Sequence, residues 1–165
     1  MAAKTYDVEG ALARLSADET IQFVNSKVDK FPVDSPEIQK ELDALVVDIP
    51  STYSIEKPPV AVVATIQKYK NMLQRKQAML LYTQFKLNNL YSAGKAIIVR
   101  DAEIAPLAQP TKETLCQSLM PGIAKRLAAI EYLLMLCDII SRNLNAASGA
   151  ITLQFEMVKS YNWNR

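Results

Sequence analysis

Between Pro59 and Ser92 the residues Val62, Ile66, Tyr69, Leu73, Leu80, Leu87 and Tyr91 follow the alternating three- and four-residue spacing of one apolar helical seam. The spacing predicts a helix of some 34 residues, roughly 50 Å at the α-helical rise. A helix of that length constrains the rest of the chain, which must supply apolar faces to cover it. Only four glycines occur in 165 residues, and half of the side chains are hydrophobic. Leu, Ala, Gln and Lys recur in long runs. The expected fold class is therefore all-α: a long basic amphipathic helix and apolar helices in a bundle, assembling into a homo-oligomer.

Charge is sorted along the chain. Lys57–Arg100 holds eight basic residues (Lys57, Lys68, Lys70, Arg75, Lys76, Lys86, Lys95 and Arg100) and no Asp or Glu. Residues 1–56 carry five basic and eleven acidic side chains, a net of −6, whereas residues 101–165 carry six of each sign. This partition predicts an acidic N-terminal helical arm, residues 1–56, and a helical core for oligomerisation and nucleic-acid binding, residues 57–165. At about 100° per residue, Lys68, Arg75, Tyr82 and Lys86 fall within roughly 40° of one another, opposite the seam. Cations in a row, with Lys76 beside them, suit a polyanion: they neutralise phosphates and release counterions. Tyr82, with Phe85, suits stacking on the bases of a single strand. Duplex reading is not favoured, because no Arg/Asn cluster stands at a helix start. The plainer alternatives are a solvated cationic face, or one that meets the acidic arm or another acidic protein. In those readings the tyrosines are ordinary edge-of-core residues.

In the arm, Val8, Leu12 and Leu15 give residues 1–15 the partial apolar face of a weak arm or short helix. Ser16-Ala-Asp-Glu19 has the capping-box form, so a helix is expected from Ala17 to just before Phe31-Pro32. Ser35-Pro36-Glu37 starts another, carrying Ile38, Leu42, Leu45, Val46 and Ile49. Three prolines between Pro50 and Pro59 predict an extended linker.

Beyond the long helix, Gly94 is expected to form a left-handed C-cap, and Ala96–Arg100 reads as a short strand or a further helical turn. Thr111 begins a helix that Pro121-Gly122 kinks or splits. Ile123, Leu127, Ile130, Leu134 and Cys137 continue at helical spacing, and Leu133, Leu136, Ile139 and Ile140 widen the stripe nearly all round. A small bundle rarely surrounds a helix completely, so an oligomer interface is the preferred reading. Asp138 and Arg142 have ion-pair spacing, and Asn145–Gly149 is expected to weaken or hinge the helix before Ile151, Phe155 and Val158. The ending Tyr161-Asn-Trp163 adds aromatics that either dock on a neighbour or stack on bases.

Without histidine a His-based triad or general base is impossible, and two cysteines are too few for a Cys-rich zinc site. The scattered glycines form no phosphate loop, and Glu37/Glu41 and Asp43/Asp48 are what solvated helix faces show. No enzymatic activity, cofactor or metal is expected. The start has no signal-peptide pattern, and the apolar run Ala128–Ile140 is interrupted by Glu131 and Asp138. A cytoplasmic protein is expected, with Cys116 and Cys137 reduced and packed as small hydrophobes.

Phe85-Lys-Leu-Asn-Asn-Leu-Tyr-Ser-Ala-Gly-Lys95 resembles the motif of the UvsY-type recombination mediators of tailed bacteriophages. There a long basic helix ends in Lys/Arg, aromatic, Gly and a further basic residue. The stretch from Leu127 through Gly149 to Tyr161 is similar to that family's closing helices, which a short glycine-containing break separates. Order and spacing agree over roughly residues 60–162. Lys86, Tyr91, Gly94 and Lys95 fall on the motif, which adds Tyr91 and Lys95 to the candidate nucleic-acid-binding residues. Asn88 stands where the family places a second cation, and residues 1–50 lie outside the resemblance. The resemblance implies a helical subunit that forms a ring and binds single-stranded DNA in the host cell cytoplasm. It further implies help in loading a RecA-like recombinase onto strands covered by single-strand-binding protein.

Overall fold

The computed structural model describes residues 6–31, 35–52 and 59–163. Among the described residues six α-helices follow one another: α1 (Val8–Ser16), α2 (Glu19–Lys27), α3 (Ser35–Thr52), α4 (Pro59–Ile98), α5 (Gln109–Leu119) and α6 (Pro121–Trp163). A 3-10 turn, Val28–Lys30, follows α2. The fold is all-α, with no strand among the described residues. Ala96–Arg100 takes the helical alternative, α4 running on to Ile98 before a turn. No helix among the described residues is long and apolar enough to cross a membrane.

The chain forms two compact units, Met1–Val33 with Tyr82–Ile130 and Asp34–Leu81 with Glu131–Arg165. The acidic segment is thus divided between them, and α4 and α6 each supply residues to both.

In the first unit, α1 starts where the Asp7 side chain accepts from the Gly10 N–H at 2.9 Å. Ser16 is not the cap of the next helix. It still belongs to α1, and its hydroxyl donates to the Ala13 carbonyl. Asp18 caps α2, accepting from the N–H groups of Thr20 (2.8 Å) and Ile21 (3.2 Å), so the helix begins at Glu19. Aspartate in an extended conformation satisfies two orphan donors at once, which leaves the serine no role there. Arg14 pairs with Asp101 at 2.7 Å, and the Asp7 N–H donates to Glu103, tying α1 to the turn after α4.

Gly94 is a further correction. It is not a left-handed cap: no glycine has positive φ, and α4 continues for four residues beyond it. Gly94 is buried, and a Cβ there would collide with Sδ of Met120 and touch Ile21. Its value is closeness of approach rather than backbone freedom. Met120 itself is the break between α5 and α6, with φ −127° and ψ 54°. The Pro121 ring disfavours helical geometry at the residue before it, while proline suits the first position of a helix, where no N–H is needed. The Asn25 side chain closes the end of α5 by donating to the Leu119 carbonyl at 2.9 Å. Val28 packs against Gly122, and Ile21, Val24, Leu87, Ile98, Ile104, Cys116, Ile123 and Ile130 complete this unit's core.

In the second unit, α3 buries Ile38, Leu42 and Leu45. It does not stop at Pro50 but ends at Thr52. Pro50 stands third from the end, where a missing N–H costs a single backbone bond of the last turn. The rest of the expected linker, residues 53–58, lies outside the described residues. From α4 come Val62, Ile66, Leu73 and Leu80, all fully or nearly buried, as the seam predicts. From α6 come Leu133, Cys137, Ile140, Leu144, Ala147 and Ile151. Neither a hinge nor the glycine-containing break of the resembled family interrupts α6, which passes through Asn145–Gly149 unbroken. Burial of Leu144, Ala147 and Ile151 on one face holds it helical through the weak propensity of that stretch. Asp138 and Arg142 do not pair: the Asp138 carboxylate accepts from Gln77 Nε2 at 3.1 Å, and no ion pair of Arg142 occurs among the described residues. Both cysteines are free and buried, one in each unit.

Candidate nucleic-acid interface

All seven candidate residues lie on α4. In the second unit, Lys68 and Arg75 are exposed, and neither forms an ion pair among the described residues. They flank a shallow surface made with Ala64, Gln67, Asn71 and Met72. Gln67 Nε2 donates to Asn71 Oδ1 at 3.0 Å, which leaves further amide donors and acceptors facing solvent between the cations. Seven residues separate Lys68 from Arg75, about 10 Å along the helix. Lys76 is different. It turns to α3, where its ammonium meets Glu41 at 2.5 Å.

In the first unit, Tyr82 and Phe85 are 63% and 61% exposed. Lys86 lies over the Tyr82 ring, its ammonium 5.4 Å from the centroid. An exposed aromatic with a cation on its face presents both a stacking platform and a phosphate partner. Tyr91 and Lys95 point elsewhere. The Tyr91 hydroxyl donates to Glu113 Oε1 at 2.8 Å and Lys95 Nζ donates to Glu113 Oε2, with the ammonium 5.9 Å from the Tyr91 centroid. Burial pushes the Tyr91 hydroxyl well above its ordinary value, and the hydrogen bond and charge of Glu113 push it the same way. The Lys95 hydrogen bond, seconded by that from Tyr91, holds the Glu113 carboxyl below the usual glutamate range.

The helix therefore leaves Lys68, Arg75 and Tyr82 exposed, with a half-buried Lys86 over the Tyr82 ring, while Lys76, Tyr91 and Lys95 are engaged by carboxylates of the chain itself. Glu41 and Glu113 were not legible as partners from the sequence. Glu113 lies 22 and 18 residues beyond the side chains it holds, out of reach of any helical spacing rule. Among the described residues no group of three or more acidic or cysteine side chains is placed to hold a metal ion. Comparison with family models, curated proteins and solved structures finds no match to this chain.

Proposed function

We propose that the chain is a single-stranded DNA-binding recombination mediator that acts as a homo-oligomer and helps to load a recombinase. The observation that carries the binding part is the pair of exposed aromatics, Tyr82 and Phe85, with Lys86 over the first. Two large aromatics on one face of the helix, both more than half uncovered, present flat apolar rings on which a ligand can stack. Bases of a single strand stack on such rings whatever their sequence, with Lys86 beside them for a phosphate, and in the second unit Lys68 and Arg75 supply phosphate contacts of their own. The recombinase and single-strand-binding protein as partners rest on the motif Phe85–Lys95 and its resemblance to phage mediators.

Fluorescence anisotropy of a labelled single-stranded oligonucleotide tests the reading. Micromolar or tighter binding is expected, falling steeply with salt and falling again in the variant carrying Arg75→Ala and Lys86→Ala. Binding that is absent, or indifferent to salt, overturns it.

A second reading is a non-enzymatic all-helical structural or assembly protein, a virion or scaffold component, whose basic face binds acidic protein. The ion pairs Lys76–Glu41 and Lys95–Glu113 favour it, since in both a cation of α4 already takes a protein carboxylate. Capture of an acidic peptide by Lys68 and Arg75 in preference to an oligonucleotide would select this reading.

A further inference from the structure

Within the second unit, two series of residues run along α6 at intervals of seven: Tyr132, Ile139, Ala146 and Leu153, then Met135, Arg142, Gly149 and Glu156. All eight are exposed. Tyr132, Met135, Ile139 and Leu153 are uncovered to 46%, 51%, 43% and 62%. Together the series alternate at three and four residues, the spacing of a coiled-coil seam, over about 36 Å of helix. The seam lies away from Leu133, Cys137, Ile140 and Leu144, which face the core.

We propose that this seam pairs with the same seam of a second copy, antiparallel, about a two-fold axis level with Leu144. Charge decides the direction. A parallel pair sets each position against itself, so Arg142 would meet Arg142 and Glu156 would meet Glu156 in a narrow interface. In an antiparallel pair one series faces the other. Setting Leu153 opposite Met135 of the second copy then sets Ile139 opposite Gly149, Ala146 opposite Arg142 and Tyr132 opposite Glu156. Each pairing occurs twice by symmetry. The result is an apolar contact at both ends, a small residue against the long arginine stem, and a phenol within reach of a carboxylate.

Gly149 gives the second, independent support. Glycine weakens a helix interior relative to alanine, yet a Cβ at Gly149 would meet nothing within 4 Å among the described residues. No packing among the described residues accounts for it. In the antiparallel register its open space receives Ile139 of the partner copy.

This inference rests on the homo-oligomer part of the proposed function and is independent of nucleic-acid binding. Sedimentation equilibrium of the full chain tests it. The wild type is expected to be a dimer or a multiple of one. Gly149→Leu should keep the helical circular dichroism, since leucine is the better helix former and space is open, but weaken self-association on the order of a hundredfold, as when the centre of an interface is blocked. Leu153→Glu should do the same, and Met135→Lys added to it should restore the assembly, because the two positions face each other only in this register. An oligomer that survives Gly149→Leu, or a double variant that fails to reassemble, overturns the interface alone. A monomeric wild type overturns both the interface and the homo-oligomer.

Discussion

Lys95 and Glu113 form an ion pair that ties α4 to α5, and the second oxygen of the same carboxylate accepts from Tyr91. The motif that points toward nucleic acid is therefore also a structural joint, and its two polar side chains are answered within the chain. Several measurable consequences come from this and from the contrasting exposure of Lys68, Arg75 and Tyr82.

Glu113 ionises in the folded chain at lower pH than its ordinary value of 4.5, through Lys95 first and Tyr91 second. A carboxyl shifted in this direction contributes stability above its unfolded value and loses it as pH falls through the folded one. Glu113→Gln should thus lower stability at pH 7 by about 1 kcal/mol or less, the pair being partly solvated. The difference between the two proteins should shrink as pH falls below the ordinary glutamate value, as read by urea denaturation at pH 7 and in acid.

Tyr91 shows the opposite linkage. Its folded hydroxyl, raised mainly by burial, stays protonated after the unfolded chain begins to ionise at the ordinary tyrosine value of 10.0. The stability it contributes is complete below that value and is lost as pH rises beyond it. Denaturation from pH 9 to pH 11 should show a decline in the wild type that Tyr91→Phe lessens.

Tyr82→Ala and Phe85→Ala should each cost about 1–3 kcal/mol in binding to a single-stranded oligonucleotide, the scale of a lost base stack. Melting temperature should stay nearly unchanged, since both rings are mostly in solvent. A melting shift without a binding loss would assign the rings to packing instead.

Glu41→Gln frees Lys76 from α3. One more cation for phosphate should steepen the plot of log affinity against log salt by about 0.7 for a single strand. Titrations at three salt concentrations measure that slope directly.

Gly94→Leu should destabilise the first unit by about 1–3 kcal/mol, the range for an overpacked core. Met120, fully buried, has nowhere to move. Thermal unfolding checks the size and sign.

The helices were legible where one periodicity ran long. The seam through Val62, Ile66, Leu73, Leu80 and Leu87 is buried as its spacing requires, and Pro121 divides α5 from α6 as its chemistry requires. Ends and interruptions were less legible, because they depend on what lies across the interface. Gly94 reads locally as a stop, but Met120 and Ile21 turn it into a contact. Asn145–Gly149 reads as a hinge, but the burial of Leu144, Ala147 and Ile151 holds it helical. At the candidate interface, helical spacing located Lys68, Arg75, Tyr82 and Lys86. It carried no signal for Glu41 or Glu113, whose pairing depends on how distant segments pack.

The two thiols have a practical consequence. Cys116 and Cys137 are both fully buried, one in each unit, and burial raises both above the ordinary thiol value. Neither reacts until the helices around it part. The chain thus carries a separate clock in each half: the alkylation rate of each thiol, resolved by peptide mapping, times the opening of its own surroundings. Added oligonucleotide that slows one clock and leaves the other running would show which half grips the strand, with no label introduced.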